Sequence, residues 1–150
     1  MLMPPLISFV YQAILSFVAT VGFAMLYNVP KRALWICGLI GAGGHLLRLL
    51  LQEIGLNDSG ATFFGALFVG LVGALPARRL QLPMILFAIA GILPMIPGIP
   101  AYKVLVYFSQ GDTLGGLESA VKTLFSVGAI AIGIGTARIL TDREWWLERN

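Results

Sequence analysis

The sequence predicts an all-α fold: one transmembrane domain, a helical bundle of five spans with the fourth broken at a Pro-Gly motif. Three observations carry that prediction. Apolar residues make up 58% of the chain and charged residues only 11%, less than half the ~25% of a soluble domain. Five apolar stretches alternate with short polar connections, on the scale of the ~20 residues that cross a ~30 Å hydrocarbon core. Within the fourth stretch the chain reads Pro94-Met95-Ile96-Pro97-Gly98-Ile99-Pro100. No continuous helix holds that run, because each proline lacks an amide donor and clashes one turn back.

The first span covers about residues 6–27 and stops at Asn28-Val29-Pro30. The preceding residues lack the basic region of a cleaved signal, so this span is expected to be retained. It carries a mild polar stripe at Gln12, Ser16 and Thr20, suited to bonding a neighbouring helix or to facing a solute. The second span, about 33–54, is thinned by Gly38, Gly41 and Gly44. The third, about 61–76, is short and is expected to end at Pro76; Ala66, Gly70 and Ala74 form a ridge on it. The fourth, about 83–108, is broken near 94–100. The fifth, about 117–140, carries a second ridge at Ala129, Gly133 and Ala137, and a polar tail, 141–150, follows. Ridges of small residues let helices approach closely in a bilayer, where no hydrophobic force drives them together.

The net charge of +3 sits in the connections and reads as topology rather than as nucleic-acid binding. Lys31 and Arg32 follow the first span, Arg78 and Arg79 the third, and Arg138, Arg143 and Arg149 follow or end the fifth. Glu53, Asp58 and Asp112 mark the alternate connections. Basic loops stay cytoplasmic, so five crossings put the N-terminus outside and the C-terminus inside. Trp145 and Trp146 are then expected at the cytoplasmic interface.

The second span holds the most unusual polar set. Gly41, His45, Arg48 and Gln52 follow at steps of four, three and four, on one helix face. Ionisable residues inside spans are rare and usually face a bundle interior or a water cavity. A guanidinium clamps a carboxylate with two parallel hydrogen bonds, and an imidazole passes protons near neutral pH. Arg48 can equally snorkel to the nearby interface, and His45 can pack against a backbone carbonyl.

The break offers a second candidate. Residues 84–93 make about 15 Å of helix, which reaches mid-depth in a ~30 Å core. A new half-helix there presents free amides that favour an anion, with Pro97, Gly98 and Pro100 at its head and Lys103 in its first turn. In the rival geometry the span ends at Pro97 and residues 101–108 lie along the outer interface, leaving Lys103 solvated. Glu118 and Lys122, four apart at the start of the fifth span, are set to pair, as an interfacial pair or as a gate. One histidine and one cysteine, Cys37, build no structural zinc site. No cofactor is implied, and no nucleophile elbow or phosphate loop supports an enzyme.

Three runs together resemble the small subunit of the bacterial threonine/serine exporter family. They are Val21-Gly22-Phe23-Ala24-Met25-Leu26-Tyr27-Asn28-Val29-Pro30, Gly43-Gly44-His45-Leu46-Leu47-Arg48, and residues 94–102 around the proline break. The resemblance covers nearly the whole chain. It implies proton-driven export of small metabolites across the bacterial inner membrane: threonine and serine, or succinate-like dicarboxylates in a two-subunit branch. It also implies a larger partner subunit carrying the other membrane half, which fits the odd span count. Together with the residues it leads to one expectation: a bilayer-embedded exporter subunit that holds a substrate carboxylate with Arg48, Lys103 and the amides of 97–100. His45 would couple protons, and Gln52, Gln12, Lys122 and Glu118 would be secondary. A structural subunit that stabilises a partner, or a homo-oligomeric channel, remains the alternative.

Overall fold

A computed structural model describes the backbone from Pro5 to Glu148 and the side chains of residues 7–141. The expected roles of Arg143, Trp145, Trp146 and Arg149 lie outside the described side chains. Helix is the regular structure throughout: α1 Pro5–Leu26, α2 Lys31–Glu53, α3 Asp58–Leu80, α4 Met84–Ile92, a 3-10 turn Leu93–Met95, α5 Gly98–Ser109 and α6 Thr113–Glu148. Four helices are long and apolar enough to cross a membrane, and α4 with α5 forms a pair bent by 54° that adds a fifth. Large apolar side chains such as Val10, Ile14, Val18, Leu39 and Ile132 are more than half exposed. Exposure on that scale suits contact with lipid rather than water.

The small residues set the packing. Cβ atoms added at Gly38 and Gly41 would run into Phe17 and Thr20, so these glycines seat α1 on α2. Gly44 lies against Val69 and brings α2 onto α3. The two expected ridges meet each other: Gly70 abuts Ala137, and Gly133 abuts Ala66 and the Phe63 carbonyl. Since Ser126 reaches Asp58 and Arg78 reaches Thr141, α3 and α6 run parallel, as an even number of crossings between them requires. Gly73, Val69 and Gly65 meet Phe87, Gly91 and Met95 in turn, which lays α4 antiparallel against α3.

Helix α3 does not end at Pro76. It continues to Leu80 and stops where Gln81 adopts a left-handed conformation (φ 52°). The proline removes one amide donor, but bundle helices tolerate that loss when neighbours enclose the turn, and Ala74 and Ala77 on either side are buried. The start of α3 is fixed more firmly. Gly55, at φ 97°, closes α2 with Leu56 N–H donating to the Leu51 carbonyl, a left-handed cap that glycine adopts without strain. Asn57 then caps α3 by accepting from the Gly60 amide at 3.0 Å. This short turn folds Asp58 back beside Gln52.

The break combines features of both geometries expected for it. Met95 and Pro97 are buried, and Met95 wedges between Gly44 and Gly65, about 10 Å below the head of α3 at 1.5 Å per residue. Beyond it, α5 has no buried residue and packs chiefly on α6, with Tyr107 on Gly115 and Phe108 on Gly116. Residues 113–125 of α6 precede Ser126, which is level with Asp58, so the α5–α6 hairpin extends roughly 20 Å past the C-terminal end of α2 and the head of α3.

Candidate functional site

Where α2 turns into α3, a polar cluster gathers side chains from four helices. Arg48 on α2 donates from Nη2 to Asp58 Oδ1 at 2.6 Å. Gln52, one turn further along α2, donates to the same oxygen at 2.6 Å. Ser126 on α6 donates to the other carboxylate oxygen at 3.1 Å. On the α1 side, Gln12 Oε1 lies 3.4 Å from His45 Nε2. The expected stripe His45–Arg48–Gln52 therefore does face other helices, and the stripe of α1 faces it in return. Of that second stripe only Gln12 reaches across. Thr20 is fully buried but donates to the Ser16 carbonyl of its own helix at 2.7 Å.

The Arg48 side chain is 17% exposed and that of Asp58 51%, so the pair points from the bundle interior toward its rim. It is not fully satisfied. Arg48 Nε, His45 Nδ1 and the Thr62 hydroxyl are buried with no hydrogen-bond partner. Buried polar atoms almost always find partners, so these three groups keep hydrogen-bonding capacity that the protein itself does not use.

Lys103 lies elsewhere. It is exposed on α5 and lines a cleft of about 330 Å³ with Ile99, Pro100, Tyr107, Glu118 and Lys122. Glu118 and Lys122 form the expected pair at 2.6 Å, with both side chains 67% exposed. Arg48 bonds Asp58 at the head of α3, whereas Lys103 lines the cleft between α5 and α6, so the structure gives different surroundings to two cations that the sequence placed together. The amides at the break are also fewer than expected. Pro97 and Pro100 have none to offer, and Gly98 N–H donates to the Ile96 carbonyl at 2.8 Å. Among residues 97–100 this leaves only the Ile99 amide, a weak anion site.

Sequence reasoning missed Asp58, Ser126 and Thr62 as site residues. In the sequence Asp58 marks a connection of the topology, and its six-residue spacing from Gln52 across a Gly-Leu-Asn turn is the one signal that ties it to the stripe on α2. Ser126 lies 68 residues from Asp58 and carried no local signal.

No solved structure matches this chain. A family model described as Threonine/Serine exporter, ThrE, matches residues 12–140. That stretch begins at Gln12 and takes in every member of the polar cluster, the broken helix pair and both small-residue ridges. A match over most of the chain, on a bundle of apolar helices that enclose an unsatisfied polar site, makes this protein a member of the threonine/serine exporter family of multi-pass membrane transporters.

Proposed function

We propose that this chain is one membrane half of a proton-coupled secondary exporter for small carboxylate-bearing metabolites, working with a larger subunit of the same family in a bacterial inner membrane. The observation that carries the reading is Arg48. It sits one turn from half-buried His45, where α2, α3 and α6 meet beside the broken helix, and it keeps an unused donor. A substrate carboxylate can accept from that donor. His45, with one ring nitrogen unpartnered, is the interior group suited to passing protons. Lys103 and the Glu118–Lys122 pair form an outer cleft on the exit side, where Lys103 draws anions without clamping them.

The span count supports a partner. Five crossings with a site at one rim give half of the paired arrangement in which transporters usually build a complete pathway. Basic connections at Lys31–Arg32 and Arg78–Arg79 lie at the opposite end of the bundle from the polar cluster, and they support a cytoplasmic position for that opposite end and an outer position for the cluster.

The test uses vesicles that contain this chain, a larger family member, or both, preloaded with labelled threonine or succinate. Efflux is expected only with both chains and an imposed proton gradient, and it stops when an ionophore collapses the gradient. Gradient-independent efflux through this chain alone would instead favour a homo-oligomeric channel. No efflux of either probe under any condition would overturn the proposal.

A further inference from the structure

We infer that Asp58 is the group on which a proton and the substrate's ammonium compete, and that the Arg48–Asp58 pair receives a zwitterionic amino acid between its two charges. The inference rests on the reading that Arg48 takes the substrate carboxylate. In this structure the pair is closed on itself, with Arg48 Nη2 on Asp58 Oδ1 at 2.6 Å. An α-amino acid presents the same two charges in reverse. Its carboxylate can take over the guanidinium, whose Nε is already buried and unpartnered. Its ammonium can take over the Asp58 oxygens.

The surroundings fit such a guest. Thr62 follows Asp58 by one turn on the same face of α3; it is fully buried and its hydroxyl has no partner. Gln52 and Ser126, which now donate to Asp58, hold the carboxylate in place from α2 and α6 while Arg48 turns to the substrate. Asp58 is half exposed, so water can deliver a proton to it. A dicarboxylate is the poorer guest, because its second carboxylate would face Asp58 across a short gap.

Competition at one carboxylate gives exchange. When a proton occupies an Asp58 oxygen, the charge that held the ammonium is gone and the amino acid leaves intact. When the proton leaves, the next amino acid can bind. Proton and substrate thus occupy the site in turn, as coupled movement in opposite directions requires. The other charged and titratable neighbours are few among the described residues. On α2 they are Arg48, His45 one turn deeper, and exposed Glu53 beside Gln52. On α6 they are Glu118 and Lys122, bonded to each other. The α1 side offers only neutral Gln12, and the Leu93–Met95 turn offers none.

The experiment compares wild type, Asp58→Asn and Asp58→Glu in vesicles that also hold the larger subunit, with labelled threonine as the probe and succinate as competitor. The Asn variant, a mimic of the protonated carboxyl, is expected to lose about tenfold or more of its gradient-driven threonine flux, whereas the Glu variant keeps coupling. Gradient-driven flux at the wild-type level in Asp58→Asn overturns the inference and leaves the exporter reading standing. Wild-type vesicles that move neither probe overturn both. Should the Asn variant not reach the membrane, threonine binding to the wild-type complex decides. It is expected to weaken about tenfold per pH unit below the midpoint, as one competing proton requires, with little competition by succinate. Threonine binding that ignores pH, or that succinate displaces equally well, contradicts the inference.

Discussion

Asp58 is acidic, lies in the first turn of a helix and borders a short connection, and each of those facts has an ordinary explanation. A carboxylate at a helix N-terminus complements the dipole. Its importance comes from Arg48, Gln52 and Ser126 converging on it, and only tertiary structure provides that. The stripe His45–Arg48–Gln52 was legible because helical spacing is local and fixed. Ser126, 68 residues away from Asp58, was not, because nothing within its own turn distinguishes it from a packing serine. Two residue-scale predictions follow from exposure. Cys37 is fully buried, so a membrane-permeant maleimide should label it only after denaturation. Labelling of the native protein would place it on an accessible surface. Glu118 and Lys122 are exposed and bonded only side chain to side chain, and surface pairs of that kind contribute little. Replacing both with alanine should leave the melting temperature in detergent unchanged.

At the scale of helices, the small-residue ridges were legible and their partners were not. Ala66–Gly70–Ala74 and Ala129–Gly133–Ala137 could be read as ridges from spacing alone. That they face each other, parallel, depended on the topology of all five crossings. Gly133 and Gly135 make a clean contrast. A Cβ at Gly133 would stand 2.7 Å from the Phe63 carbonyl and 2.9 Å from the Ala66 Cβ, whereas one at Gly135 meets nothing within 4 Å. Gly133→Ala should therefore cost about 1–3 kcal/mol through overpacking. Gly135→Ala should be neutral or gain up to ~1 kcal/mol from helix propensity. Thermal melts of the two variants in one detergent check the sign of each. Pro76 shows the limit of local rules at this scale. Proline marks a helix end in isolation, yet buried neighbours carry α3 through it to Leu80. The triple-proline run 94–100 does break its helix, because three lost donors within two turns exceed what packing can absorb.

For the molecule as a whole, composition fixed the membrane class and the helix count, while the joining of sites across the bundle stayed hidden. The sequence grouped Arg48 with Lys103; the structure assigns one to the rim of α2, α3 and α6 and the other to the α5–α6 cleft. The orientation expected from the basic connections can be read directly, because Cys37 is buried and gives a silent background. An impermeant maleimide added outside intact cells should label Ile54→Cys, which replaces a side chain 82% exposed, and should not label Pro83→Cys at the other end. The reverse pattern would invert the topology. The assignment of the substrate to Arg48 rests on one comparison. Proton-gradient-driven efflux of labelled threonine is measured in vesicles that hold both subunits, with wild type, Arg48→Gln and Lys103→Gln side by side. A lost charged hydrogen bond to substrate predicts a fall of roughly tenfold to a hundredfold for Arg48→Gln, and at most a few-fold change for Lys103→Gln in its exposed cleft. Wild-type efflux from Arg48→Gln, or a larger loss from Lys103→Gln, would contradict a substrate site at the polar cluster.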